Sequence, residues 1–321
     1  MSTELSPIWR ARWRIRRGPL VPHRTPAAPA DTFAKTKYRQ TLIAYSFLAP
    51  FLAVFLLFWA WPIVQSMLFA FQNWRVSPPT FDPAFNWLRL TSDPLFHAAL
   101  RNSLALLIIQ VPLMMLLALL LAVSLNERNL RYPGFFRFAF FAPVVISEVS
   151  YSAIFRLLFN GDFGAINSVL GALGLPRTDW LNTPAGATTV VVAAVTWRWT
   201  GYNAIILLAG LQSIPRYLYE AARLDGISSF QQFRYITLPL LRPVIVFALT
   251  MSVFGSLQLF VEPHLITHSG PAGATETLGT YLYKQGFVHF NFGYAAAIGY
   301  VAALIALSPS LFKIRMLEKK A

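Results

Sequence analysis

The sequence predicts an all-α integral membrane protein with six transmembrane helices and both termini in the cytoplasm. Three observations carry that prediction. The 321 residues are 56% hydrophobic and only 12% charged, with a mean hydropathy of +0.51, where soluble domains carry about 25% charged residues. Six apolar stretches are each close to the ~20 residues that a helix needs to cross a bilayer. The basic residues fall in alternate connecting segments, the bias that orients membrane proteins.

Residues 1–40 hold nine of the 27 basic residues, from Arg10 to Arg39, interspersed with Pro19, Pro22, Pro26 and Pro29. This composition predicts a disordered basic cytoplasmic tail that touches anionic membrane lipid. Its basic region is too long, and the apolar run after it too extended, for a cleaved signal peptide. Residues 41–315 then form one six-span domain. The first span covers 41–61 within a charge-free run from 41 to 74; Pro62 is expected to kink it, and Trp59, Trp61 and Trp74 suit an interfacial belt. The second covers 102–125, with Pro112 tolerable inside a bundle. The third, 138–159, carries Glu148, and the fourth, 187–209, carries Arg198. The fifth covers 243–261 and the sixth 292–312, leaving 316–321 as a short cytoplasmic tail. The outer segments 75–97, 160–186 and 262–291 are too short for a separate domain and are rich in turn formers.

With the N-terminus inside, the inner segments hold 20 basic residues. The outer segments hold six: Arg75, Arg89, Arg101, Arg156, Arg177 and Lys284. That asymmetry sets the orientation. It also explains the net charge of +14 without nucleic acid, because the positive charge lies in the tail and at the ends of apolar stretches. There is no cysteine, which excludes disulfides, thiol catalysis and cysteine-ligated metals.

Between spans four and five lies a polar segment, 215–241, placed in the cytoplasm by the charge count. Pro215 suits a first helical turn, and Arg216 to Leu224 are good helix formers. Asp225-Gly226 breaks the run, since glycine takes the left-handed conformation that ends helices. Ser228 with Gln231 three residues later is a capping box that starts a second helix, and Pro239 is expected to close the element. The residues alone allow either a docking helix-turn-helix or an ordinary connection lying on the membrane surface.

The spacing goes further. Glu220, Ala221, Ala222, Asp225 and Gly226, followed by Ile236, Leu238 and Pro239, resemble the EAA loop of the permease subunits of binding-protein-dependent ABC transporters, with Ile227 where that family usually has alanine. AGLQSIPRYLYEAARLDG (209–226), ITLPLLRP (236–243), GFFRFAFFAPVVIS (134–147), ATETLGTYLYKQGF (274–287) and NFGYAAAIGY (291–300) are similar to the maltose- and lactose-permease branch. The outer turn Thr267-His268-Ser269-Gly270-Pro271 and the stretch Phe85-Asn86-Trp87-Leu88 depart from that branch's usual motifs.

The resemblance implies a chain that carries a carbohydrate across the bacterial or archaeal cytoplasmic membrane. It would act with a second homologous permease, an extracytoplasmic solute-binding protein and a dimer of ATP-binding subunits. ATP and Mg would sit on that ATPase; this chain has no phosphate-binding loop of its own, binds no cofactor and is no enzyme. Tyr219, Glu220, Ala221, Ala222, Asp225, Gly226 and Ile227 would engage the ATPase. Trp197, Tyr202, Phe254 and Gln258 would line the substrate pathway. Importers of a polyol or of glycerol phosphate in the same family are the nearest alternative.

Arg198 and Glu148 allow two readings. A charge at a span centre costs on the order of 3 kcal/mol, so it faces a partner or a cavity. The pair either fixes two helices structurally or contacts substrate; an ion-driven secondary transporter would use it as a relay, and a receptor or scaffold would give the aromatic cluster around Arg198 no task. His264 and His268 are four apart but lack a third ligand, and are expected to be solvated loop residues rather than a metal site.

Overall fold

The computed structural model describes residues 30–127 and 130–318, with side chains for residue 38, 40–127 and 130–307. The expected tail at 1–29, Arg128, Lys319 and Lys320 lie outside the described residues. The chain divides into two compact units, one ending at Pro62 and one beginning at Ile63.

The first unit is α1 (Ala30–Phe55) followed by a π turn at Leu56–Ala60. The last eleven residues of the segment expected to be tail, 30–40, are helical. Its large apolar side chains, Phe47, Phe51, Phe58 and Trp59 among them, are exposed, as lipid-facing side chains would be. Helix α2 (Trp61–Ala70) follows directly, so the helix passes through Pro62. The π turn explains how: Trp61 N–H bonds to Leu56 O, five residues back. The widened turn relieves the clash that proline makes with the carbonyl four residues earlier.

In the second unit, β1 (Gln72–Asn73) and β2 (Thr80–Phe81) pair as a short antiparallel hairpin before α3 (Phe85–Ser92). Helix α4 (Pro94–Leu125) is the second span, opened by Asp93, whose carboxylate accepts from Leu95 N–H, and by Pro94 at its first position. Helices α5 (Pro133–Val145) and α6 (Glu148–Leu158) occupy the third span, and α7 (Ala165–Ala172) leads to α8 (Pro184–Ser213), the fourth. Then come α9 (Tyr217–Leu224), α10 (Ser229–Gln232), a π turn at Phe233–Thr237 and α11 (Leu238–Leu257). Short α12 (Val261–Leu265) and α13 (Leu278–Tyr283) precede α14 (Phe292–Glu318).

Among the described residues four helical runs are long and apolar enough to cross a membrane: Gln40–Ala70, Pro94–Leu125, Pro184–Ser213 and Ser229–Leu265. The α5–α6 pair makes a fifth if counted as one span, and Phe292–Leu307 is a shorter apolar helix. The third span is not continuous, as the sequence suggested, but bent by 96° between α5 and α6. Ile146 (ψ 136°) and Ser147 (ψ 137°) are extended there, and Ser147-Glu148 is a serine followed by a first-turn acid, a helix-start signal inside the apolar run.

The main core is the seam where α4, α8 and α11 meet. Val111, Met114, Met115, Ala118, Ala122 and Leu125 of α4 face Ala204, Leu207, Leu208 and Leu211 of α8, with Leu241 and Ala248 of α11. These α4 positions recur at three- and four-residue intervals, one stripe of a helix. Gly201 lets α8 approach α5 closely, since a Cβ there would lie 1.7 Å from Phe140 O.

The segments expected to lie outside are a packed layer rather than open turns. Leu90, Phe96, Leu278, Tyr281, Tyr294 and Ile298 form a second core. Buried Asn86 donates to Ala70 O (3.0 Å) and Gln72 O (2.8 Å). Thr277 Oγ1 donates to Leu259 O (2.6 Å), and Leu278 N–H to Ser103 Oγ (2.9 Å). The turn formers read in the sequence act here as caps.

Candidate functional site

The segment after α8 folds as a short helix, a glycine turn and a capped second helix. Asp225 ends α9, and Gly226 takes φ 72°, the left-handed region that costs other residues energy. Gly226 N–H bonds to Arg223 O (3.1 Å) and Ile227 N–H to Ala222 O (2.9 Å), the paired bonds of a Schellman stop. Ser228 then opens α10. Its hydroxyl accepts from Gln231 N–H (3.4 Å) while Gln231 Oε1 accepts from Ser228 N–H (3.0 Å), a reciprocal cap.

Pro239 does not close the element. The chain stays helical from α10 through the π turn into α11, where Leu238 N–H bonds to Phe233 O. The device is the one seen before Pro62, with the π turn ending two residues ahead of the proline. The second helix is therefore continuous with the fifth span.

The α9 side chains divide by face. Ala222 is buried, and Leu218 and Tyr219 pack against the α4–α8–α11 core. The Tyr219 hydroxyl lies 2.9 Å from Thr237 Oγ1, and Gln232 Nε2 donates to Ile227 O (2.8 Å), bracing α9 against the π turn. Tyr217, Glu220, Ala221 and Leu224 share the opposite face and are exposed, Leu224 at 90%. Asp225, Gly226 and Ile227 are exposed at the turn. Of the residues expected to face a partner, Tyr219 and Ala222 pack toward the element's own spans. Tyr217 and Leu224 share one helical stripe with Glu220 and Ala221, and Phe230 of α10 is also exposed (75%).

The second group surrounds the bend in the third span. Arg198, at the middle of α8, is 6% exposed. Its Nη1 donates to Ile146 O (2.8 Å) and its Nη2 to Val144 O (3.4 Å), with Glu148 Oε1 at 3.5 Å. Val144 and Ile146 lie at the end of α5, where carbonyls lack amide partners. The negative end of α5's dipole faces the guanidinium, and Glu148 completes the neutralisation. The guanidinium also lies 4.8 Å from the Tyr151 ring centre. Tyr151 in turn donates its hydroxyl proton to buried Glu262 of α12, a link from α6 to the short helix that follows α11, which the sequence did not reveal.

The structure brings Arg198, Glu148 and Trp197 together. Trp197 is 43% exposed and its ring meets Phe155 (5.5 Å) and Tyr151 (6.1 Å). Tyr202 points along a different face of α8, toward Phe141 (6.5 Å) and Trp199 (5.6 Å). Phe254 is half-buried and Gln258 exposed on α11 and at its end; neither side chain contacts the Arg198 group. Asn203, buried, donates to Trp199 O (3.0 Å) and accepts from Ser252 of α11 at 3.4 Å.

His264 lies in α12 and is half-buried, while His268 is an exposed loop residue. His264 stacks on Phe260 (5.2 Å) and meets Tyr283 edge-on (5.3 Å), and His268 accepts a hydrogen bond from Arg156. His264 is thus packed among aromatic rings rather than solvated, while His268 remains exposed in its loop, as expected. Among the described residues no group of His, Asp and Glu could hold a metal.

Comparison with known proteins adds to this geometry. Residues 102–315 match the family described as binding-protein-dependent transport system inner membrane component. A lactose transport system permease protein of Rhizobium radiobacter is 41% identical over 264 residues, which cover 81% of this chain and 88% of that protein. An arabinooligosaccharides transport system permease protein of Bacillus subtilis (strain 168) is 34% identical over 281 residues, 87% of this chain and 90% of that one. Among solved structures, a bacterial alginate ABC transporter in complex with an alginate pentasaccharide-bound periplasmic protein superposes with a TM-score of 0.74. It is 25% identical and covers 86% of this chain and 94% of its own.

Proposed function

This chain belongs to the family of binding-protein-dependent transport system inner membrane components, and from that premise we propose that it is the permease subunit of an ATP-driven carbohydrate importer. The observation that carries the reading is the 215–239 element. It presents an exposed stripe, Tyr217, Glu220, Ala221 and Leu224, backed by residues that lock it to the spans. A connection lying in a headgroup layer needs no such bracing.

In this reading six spans cross the cytoplasmic membrane with both termini inside. The basic-residue asymmetry supports the orientation, and α14 supplies the sixth span. Each of two permeases, this one and a homologous partner, seats its α9 in a cleft of a separate ATPase, which holds the ATP and Mg. Glu220 and Asp225 meet basic residues there, while Leu224 and Ile227 add apolar contact. Closure of the ATPase dimer pushes α9, and the helical continuity through α10 into α11 turns that push into a tilt of the fifth span. The substrate arrives on a solute-binding protein, and the pathway runs beside Trp197 and Tyr202. Arg198 serves the bend rather than the substrate, since both of its terminal nitrogens already meet carbonyls or a carboxylate and only Nε has no partner among the described residues.

The carbohydrate class rests on the relatives named for lactose and arabinooligosaccharides. Glu220→Lys tests the coupling. Glu220 is exposed, so the variant inserts in the membrane as the wild type does. It is expected to lose co-purification with the ATPase and to lower sugar uptake at least tenfold. Full uptake in that variant, or wild-type uptake that persists when the ATPase is deleted, refutes the coupling and favours an ion-driven transporter.

A further inference from the structure

Beyond α8's first residue, at the end opposite the 215–239 element, the chain forms a half-open polar cavity of about 450 Å³. The 30 residues of α8 separate the two by roughly 45 Å at 1.5 Å per residue. The walls come from the end of α6, the turn at 160–162, the irregular stretch 177–182 and the segment 266–268.

One buried side chain ties these walls together. Asn167 of α7, 2% exposed, donates to Gly161 O and Thr178 O (both 2.9 Å). Its Oδ1 accepts from Thr178 N–H (3.2 Å) and Trp180 Nε1–H (3.1 Å). Asn160 Oδ1 fixes the 160–162 turn by accepting from Asp162 N–H (2.9 Å). The walls are thus set before any ligand arrives, which lowers the ordering cost of binding.

The lining has balanced and complementary chemistry. Arg156 and Arg177 supply cationic donors; Asp162 and Asp179 supply anionic acceptors. Asn182 Nδ2 holds the Asp179 carboxylate in place at 3.0 and 3.2 Å. Arg177 is exposed and has no hydrogen bond or ion pair among the described residues. A small anion would meet two carboxylates in this space and a small cation two guanidiniums. A ligand whose every polar group both donates and accepts satisfies all four. Neutral sugars have that property, and the volume lies within the ~300–1,000 Å³ of small-molecule sites.

We propose that this cavity is a second carbohydrate subsite, for a neutral sugar, at the outer mouth of the protein and separate from the pathway beside Trp197. It rests on the reading of the chain as a sugar importer. An aromatic run extends from the pathway toward the cavity: Trp197 to Phe155 at 5.5 Å, Phe155 stacked on Phe159 at 6.0 Å, and Phe159 edge-on to Trp180 at 5.5 Å, which lies in the chain between the lining residues Asp179 and Leu181.

The test uses the assembled importer, purified without its solute-binding protein and titrated by calorimetry. The probes are lactose, maltose, trehalose and an arabino-oligosaccharide, with an acidic alginate pentasaccharide as the charged counterpart. At least one neutral sugar is expected to bind saturably, and to do so also in a Trp197→Ala importer. Arg177→Gln, which breaks no contact of the fold, is expected to weaken that binding about tenfold, and Asp179→Asn to weaken it as well. Unchanged affinity in both variants, binding of the pentasaccharide alone, or no binding of any neutral sugar overturns the proposal. Proteoliposome uptake with the binding protein restored reads the underlying function separately: sugar uptake without sugar binding at the cavity rejects the subsite alone, and absence of any sugar uptake rejects the importer reading.

Discussion

A guanidinium buried at the middle of a membrane-spanning helix is costly unless it is paired; Arg198 uses both terminal nitrogens, while its Nε has no hydrogen-bond partner among the described residues. Arg198 was visible in the sequence as such a charge, with Glu148 as its partner; its principal acceptors were not, because Ile146 and Val144 offer backbone carbonyls that only the bend sets free. The bend itself left a faint trace in Pro143 and in Ser147-Glu148, which an apolar run of Phe, Val and Ile concealed. Arg198→Ala is expected to destabilise the purified protein by about 1–3 kcal/mol for each carbonyl left without a donor, seen as a lowered thermal midpoint. Arg198→Lys should recover only part, since a compact ammonium cannot fork to two carbonyls and a carboxylate as a planar guanidinium does. A variant of normal stability with a raised KM for transport would instead make Arg198 a substrate contact.

At the scale of elements, sequence patterning located helices well and their ends less well. Gly226 and the Ser228–Gln231 cap were legible because each is a local stereochemical demand. The run through Pro62 and Pro239 was not, since proline was read as a stop and the π turn that accommodates it has no composition of its own. The outer layer was the largest surprise, because its order depends on long-range bonds. Asp93 is its knot: its Oδ2 accepts from the hydroxyls of Tyr281 (2.5 Å) and Tyr294 (2.6 Å), joining the start of α4 to α13 and α14. Burial pushes its carboxyl up, but the Tyr281 and Tyr294 hydroxyls and the backbone N–H groups of Leu95 and Phe96 outweigh that and hold it below the usual carboxylate range. A depressed folded pKa stabilises above the unfolded value of about 3.8, and that stability is lost as pH falls through the folded pKa. Hydrogen exchange in the α13 peptide 278–283 should thus accelerate as pH drops below about 4, relative to an Asp93→Asn protein, in which this contribution is absent at every pH. Parallel pH profiles for the two proteins would remove Asp93 from that role.

For the whole molecule, the open quantity is the number of crossings. Four helical runs qualify outright, the bent α5–α6 pair makes a fifth, and α14 falls short on the length of its described apolar part; the positive charges at Lys313, Arg315, Lys319 and Lys320 demand that it cross if the positive-inside bias holds. The absence of cysteine makes this directly measurable, because any introduced cysteine is the only thiol that a membrane-impermeant maleimide can label. Leu175 and Leu224 are exposed beyond opposite ends of α8, so one crossing separates them whatever the total. Leu175→Cys is expected to label in intact cells, and Leu224→Cys only after the membrane is opened. Val288, exposed between α11 and α14, should behave as Leu175 does, because α11 returns the chain to the outer side. The deciding position is Ala321→Cys. Labelling only after permeabilisation means that α14 crosses and the count is six. Labelling in intact cells would leave α14 outside, reduce the count to five, and put the four terminal basic residues on the side that the charge bias disfavours.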